Sequence, residues 1–547
     1  MRSLLMAFFI LLPVYFFSGC GGVEEEGKSA SSSSLTPGCS GSYCGASGLS
    51  YTGNGVGVWS YINDGTYWVN LNVSLSNVAN RDITIVFTNT AESSVNMPYI
   101  PVNTALHSEM SPKYAKHTDT FNRIPDFIRD FNPKDLLSKS QNMQDYPLLL
   151  AKTYSKGDER KWDVSVEDKQ GNSVYENRTA TLKEKQTLSN GLTVNIWVEN
   201  SEYASDKVND AIISRILQSL ETIVVSAENL IGKPWGTRNG SYYIPSDQPL
   251  DITLVNFDKN GKAGGVLGYF WGINNVLNNE IPASWEEKGH SNEALVVFVD
   301  TETLYKDANG TLYGISTIAH EFTHAVHFYQ RYVLMNDGFD TFLNEMSAIM
   351  MEDIIAKKID NEFNDAKFRY IDWHKESDYR YDFADWSLGG DRNYDVAGSF
   401  GAYLLRQHGV EFYKTLFKTR GDSSANCGES NTPACRLRSL KILDKAIKTY
   451  NGEGLKRALS RWGASIAMFP SNASPNGFGY PVKYSGGFEF EEFDGSAYKQ
   501  YRTLPTSSPA SLPAHGHFPF LRKGSSGGSY SETFSVPPNV SVSIVVK

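Results

Sequence analysis

The 547-residue sequence predicts an α+β protein, with a mixed sheet and a helical half at its centre and β-rich regions on either side. Two observations carry this. From Asp206 onward apolar residues recur every three to four positions, as on one face of a helix, whereas before about residue 200 and after about residue 470 they alternate or sit between Gly- and Pro-rich turns. Within the centre, strand-like runs precede a series of helical ones, an order that segregates helices to one side of a sheet. Composition agrees: 40% hydrophobic, 20% charged and 13% aromatic residues describe a folded chain long enough for two or three domains. The balance of 51 basic against 61 acidic residues, a net charge of −10, argues against a nucleic-acid groove or an anionic membrane surface as the main partner.

Taken in order, the chain opens with Met1-Arg2-Ser3, an apolar run over 4–17 broken by Pro13, and then Ser18-Gly19-Cys20. The run has the length of an export-signal core and falls short of the roughly 20 residues a helix needs to cross a bilayer. Ser-Gly-Cys resembles the lipobox of bacterial lipoproteins, with Phe17 where leucine is more usual. That resemblance implies removal of 1–19, acylation of Cys20 and a lipid-anchored protein of the bacterial cell envelope; a plain secretory signal is the alternative. Gly21 lacks the aspartate that often retains lipoproteins at the inner membrane, so the outer membrane or cell surface is the expected location. Residues 20–57, Gly/Ser-rich with Glu24-Glu25-Glu26, read as a flexible tether. The remaining cysteines, Cys39, Cys44, Cys427 and Cys435, allow three pairings; Cys39 with Cys44 and Cys427 with Cys435 close the shortest loops, and export permits disulfides.

Strand-like runs at 67–75, 83–88 and 192–198, the last after an Asn190-Gly191 turn, predict an N-terminal β-rich domain over 58–200; a polar stretch at 105–145 fits neither pattern. Val208, Ile212, Ile216, Leu220, Ile223, Ala227 and Leu230 then form one apolar stripe, ended by Gly232 and Pro234, which predicts a long helix. Strands follow at 252–257, 266–271 and 294–299, and helices at 315–329, 342–359, 396–408, 437–450 and 455–469. These make one domain over 201–470. Strands at 530–536 and 540–546 predict a separate C-terminal β-rich domain over 471–547.

The chemistry concentrates in His320-Glu321-Phe322-Thr323-His324. On a helix, residues four apart differ by about 40° around the axis and about 6 Å along it, so both imidazoles reach one metal ion. Glu321 between them is placed to take a proton from metal-activated water. Twenty residues beyond His324, on the next predicted helix, stands Glu345 in Phe342-Leu343-Asn344-Glu345. Two histidines and a carboxylate leave a tetrahedral position open, as a catalytic zinc requires. Glu345 is the expected third ligand, with Asp337 and Asp340 of the inter-helix loop as competitors; a third histidine six residues on is excluded because Gln330 stands there.

The HExxH helix followed by Leu-Asn-Glu resembles the gluzincin metallopeptidases, and within them the hyicolysin family, over roughly 205–469. The resemblance implies a thermolysin-like zincin catalytic domain, one zinc ion bound by His320, His324 and Glu345, and Glu321 as the catalytic base. Gluzincins commonly supply a tyrosine or histidine to the developing oxyanion, for which Tyr394 is the candidate. Val266, Gly268 and Tyr269 lie on a strand that offers an exposed edge to an extended peptide. Glu352, seven residues past Glu345, is either a support for a ligand histidine or a solvated charge. His327 reads as a surface or supporting histidine, and Asp258-Lys259-Asn260-Gly261 and Asp307-Ala308-Asn309-Gly310 read as turns. The expected activity is hydrolysis of internal peptide bonds in proteins or peptides; the rivals are an inactive zincin-fold, adhesin-like binding lipoprotein and a zinc hydrolase of non-peptide amides.

Overall fold

The computed structural model describes residues 33–103, 151–167, 173–238, 242–375, 378–386, 391–422, 432–496 and 502–547. Cys20, the expected signal peptide, the stretch at 105–145 and Cys427 lie outside these. In chain order the larger strands are β1 (Gly57–Ile62), β2 (Val69–Ser76), β3 (Asp82–Asn89), β4 (Glu159–Glu167), β5 (Ser173–Thr187) and β6 (Thr193–Glu199). Helix α1 (Asp210–Ile231) leads into β7 (Leu250–Val255), β8 (Gly268–Phe270) and β9 (Leu295–Asp300). Then come α2 (Thr301–Lys306), α3 (Gly310–His327), α4 (Thr341–Ile359), α5 (Asp365–Trp373), α6 (Asp391–His408), α7 (Val410–Lys418), α8 (Pro433–Asn451) and α9 (Leu455–Ala464). Strands β10 (His517–Lys523), β11 (Ser529–Val536) and β12 (Val540–Val546) close the chain.

The central unit is built on a six-stranded sheet ordered β8-β9-β7-β6-β5-β4. Strands β6, β7 and β9 run parallel, while β8 on one edge and β5–β4 on the other are antiparallel. Strands β7 and β9 are buried at every residue because both their faces are covered, and β9 is apolar up to its last residue. The pairing of β5 with β6 shifts register between Leu182 and Glu184, and β4 reaches over the sheet: the Ser165 amide donates to the Tyr269 hydroxyl, and Trp162 packs edge-on to Phe298. Helix α1 starts at Asn209, whose side chain accepts from the amides of Ala211 and Ile212, and stops at Gly232 in the left-handed region. Its predicted stripe is buried, shifted by a residue to include Ile213 and Val224 in place of Ile212.

The flanking regions depart from expectation. They are not two β domains but one sandwich of two five-stranded sheets, woven from both ends of the chain: β3 lies between β10 and β12, β12 also pairs with β1, and β2 pairs with β11. Its core contains Trp59, Leu71, Val73, Ile85, Phe87, Phe520, Phe534 and Ile544. Residues 159–199, assigned from sequence to the N-terminal domain, instead belong to the central sheet. Alternation shows that a strand has one buried face, but not which distant strand it pairs with. The expected tether is also shorter: Thr36–Pro37, Ala46–Ser47 and Ser50–Tyr51 are strands of the sandwich, Leu35, Tyr51 and Val56 are buried, and a disulfide joins Cys39 to Cys44. Cys435 is disulfide-bonded to a partner outside the described residues. The outer face of the β3–β12 sheet rests on α9, where Ala464 and Val545 share a small core. Among the described residues no helix is long and apolar enough to cross a membrane.

Candidate metal centre

Helix α3 is buried along its whole second half, from Thr317 to His327, with the sheet on one side and α1 and α4 on others. A helix enclosed this way must satisfy its polar side chains from neighbouring elements. His320 and His324 project toward α4, where both find Glu345: His320 Nε2 lies 3.0 Å from Glu345 Oε2, and His324 Nε2 lies 3.3 Å from Oε1. One ligand atom from each of the three lies within 4.8 Å of the others, the one such grouping of three His, Cys, Asp or Glu residues among the described residues.

The other ring nitrogens are held from outside. His320 Nδ1 lies 2.6 Å from Glu352 Oε1, and His324 Nδ1 lies 3.1 Å from Asn344 Oδ1. Each imidazole therefore gives its Nδ1 proton to an oxygen and turns the Nε2 lone pair inward, the tautomer and orientation a metal ligand needs. The donor set of two nitrogens and a carboxylate fits zinc. Glu352 is fixed in turn by the Ser316 hydroxyl at 2.8 Å, so the seven-residue spacing from Glu345 marks a buried support rather than a solvated charge. Without an ion, burial works against charge on His320, yet Glu345 and Glu352 outweigh it and push its pKa up to about 10. Burial would raise Glu345, but His324 and His320 hold it well below the usual carboxylate range. The pocket is thus built for positive charge between three side chains.

Glu321 points the other way, to the sheet edge. Its Oε2 accepts from the Phe270 amide at 2.8 Å, and burial raises its pKa against the opposing pull of His324 and His320. That contact depends on close approach of α3 to β8. At Gly268 a Cβ would sit 2.6 Å from Thr317 Cγ2 and 2.7 Å from the Phe298 carbonyl, so only glycine fits. The predicted strand over 266–271 is real only from Gly268 to Phe270, with Val266 half-buried ahead of it. It is the sheet edge, but not the open one expected: Gly268 and Tyr269 are buried, and the Phe270 amide is spent on Glu321.

Tyr394 is buried on α6, its hydroxyl turned to Glu345, its ring 6.3 Å from that of His320 and edge-on to Trp386. Burial, with Glu345 and Glu321 beside it, raises its pKa well above the usual range. The competitors for the third ligand point elsewhere. Asp337 pairs with Arg331 and Arg438, and Asp340 begins α4 with its amide donating to the Ser439 hydroxyl. His327 is neither on the surface nor at the metal: fully buried, it accepts from the Phe339 amide at 3.0 Å and stacks on that ring, pinning α3 to the loop before α4. Directly after it the helix widens into a π-helical stretch, Phe328–Leu334, that carries buried Arg331.

Residues 175–547 match the family model of peptidase M30, well over half of the chain. The chain belongs to the peptidase M30 family. The match begins in β5 and takes in the whole metal centre and the C-terminal strands of the sandwich. A second model, a domain of unknown function (DUF8571), matches residues 37–102, the N-terminal share of the same sandwich. No curated protein matches the chain. Among solved structures, a mutant M1 zinc metallopeptidase of Deinococcus radiodurans is similar at 10% identity and a TM-score of 0.26, over 57% of this chain and 61% of that one. The chain thus spans about three fifths of the length of that enzyme.

Proposed function

We propose that this M30 family member is a zinc-dependent endopeptidase in which Glu321 is the general base. The observation that carries the reading is the pair of histidines with Nδ1 committed outward and Nε2 converging on Glu345. His320, His324 and Glu345 would hold zinc, which supplies Lewis acidity toward a scissile carbonyl and makes water more acidic. Glu321, steered by the Phe270 amide, takes the proton of the attacking water and passes it to the departing amine. Tyr394 donates to the oxygen on which negative charge grows. Glu321, Glu345 and Glu352, the carboxylates described at the centre, are each committed to another task, which favours cleavage within a chain over capture of a terminal ammonium.

The reading extends to the compartment. Lipid attachment at Cys20 would tether the enzyme to a bacterial membrane, probing protein or peptide substrates of the cell envelope. The deciding experiment is Glu321→Ala with zinc measured alongside: cleavage of a generic protein substrate should fall by about a hundredfold to ten-thousandfold while zinc stoichiometry stays at one per chain. Zinc-loaded wild type that cleaves no protein in a broad panel would leave a binding protein, not a peptidase.

A further inference from the structure

We propose that Arg369 is a positioning residue that acts through Tyr394, linking the support of His320 on α4 to the oxyanion donor on α6. This deepens the peptidase reading and rests on it. Arg369 lies on α5 with its side chain 11% exposed, and its Nη2 forms an ion pair with Asp365 at 2.8 Å. Glu352 and Asp395 are its other charged neighbours. Its guanidinium carbon is 5.3 Å from the centroid of the Tyr394 ring, within cation–π range.

The route to that ring is cut into α6. Gly398 lies one turn beyond Tyr394, on the same helix face. A Cβ there would stand 2.7 Å from Arg369 Cδ and 3.1 Å from Ile349 Cγ2, so the absence of a side chain is what lets the arginine stem pass. The Ser399 hydroxyl donates to the Arg369 carbonyl at 3.2 Å, fixing α5 against α6 at the same level. One cation, paired on α5 and flanked by Glu352 from α4, therefore packs beneath the tyrosine whose hydroxyl faces Glu345. A planar guanidinium under the ring restricts it to that orientation before substrate arrives, which is the condition for a hydrogen-bond donor to favour the transition state.

Two substitutions disturb this in different ways. Arg369→Met removes the charge; Gly398→Ala keeps every charge and puts a methyl in the path of the stem. Each is made in wild type and in Tyr394→Phe, and read by kcat and KM on a peptide the wild type cleaves, by zinc content, and by affinity for a phosphinic pseudopeptide, a tetrahedral mimic. Expected in the wild-type background is a fall in kcat of about tenfold or more, KM within about twofold, zinc unchanged, and inhibitor affinity reduced in step with kcat. In the Tyr394→Phe background neither substitution should lower kcat further, and in the wild-type background Arg369→Lys should retain part of the kcat that Arg369→Met loses. Equal losses in both backgrounds, loss of zinc in parallel with kcat, or unchanged kcat in both variants overturns the inference. Wild type that binds zinc but cleaves nothing is a failure of the peptidase reading instead; inhibitor affinity across the same variants then decides the role of Arg369.

Discussion

The buried histidines of the metal centre and two in the seam between the sandwich and the helices, His517 and His374, live in opposite electrostatic worlds. At the centre, both nitrogens of His320 and of His324 face oxygen acceptors, and carboxylates outweigh burial so that His320 is pushed up to about 10. In the seam, His517 accepts or donates at Nδ1 to the Thr88 hydroxyl at 2.9 Å, its Nε2 has no hydrogen-bond partner among the described residues, and its ring lies edge-on to Trp462. Burial pushes its pKa down to about 3. His374 repeats the pattern, with the Tyr379 hydroxyl at Nδ1 and an Nε2 that has no partner among the described residues. Enclosure alone keeps an imidazole neutral. What makes a ligand is an oxygen acceptor behind the ring and a carboxylate in front of it.

The contrast should break hardest at Glu345. Replacing it with Ala removes the group toward which both Nε2 atoms point, and zinc affinity should fall by more than the ten- to hundredfold typical of losing an outer partner; His517→Ala should leave zinc content unchanged. Metal analysis of both purified variants checks this, and loss of zinc from the seam variant would erase the distinction. Glu352→Gln sharpens it, because it removes the charge behind His320 and leaves the ligands in place. Zinc affinity, measured by chelator competition, should drop about ten- to hundredfold. The smallest effect is a pH dependence in the seam. His517 is neutral in the fold down to about pH 3, while its unfolded counterpart takes a proton near pH 6.5, so its contribution to stability is complete above 6.5 and is lost progressively as pH falls toward 3. Wild type should take up about one more proton on unfolding in this window than His517→Gln, seen as a steeper decline of denaturation midpoint with acid.

The centre was more legible in the sequence than the architecture. His320, Glu321 and His324 are named by spacing because an α-helix has a fixed pitch, and local geometry needs only local residues, whereas Glu345 is picked out by its Leu-Asn-Glu segment on the next helix. Glu352 carried the same helical signal, but a glutamate on a helix is usually solvated, and the buried environment that decides its role comes from α3. The edge strand was found and its openness misread, since the partner that occupies its outward amide is a side chain 51 positions away. Asn344, beside a ligand, gave no signal of its own beyond its place in Leu-Asn-Glu. Arg369 and Gly398 are invisible without coordinates: nothing in either neighbourhood distinguishes them from an ordinary surface cation and a weak helix position. The β flanks failed for a different reason, because hundreds of residues separate β3 from β10 and alternation holds no memory of distance.

The last strand of the chain, β12, lies in the middle of its sheet, with β3 on one side and β1 on the other. Both neighbours of β12 precede the central unit in the sequence, so translation completes the residues of that unit before β12 is made. The sandwich can close only once β12 is available to fill the gap between β1 and β3, like a keystone set after both sides of an arch are standing. A chain lacking β12 would present the central unit beside two open, adhesive strand edges, those of β1 and β3.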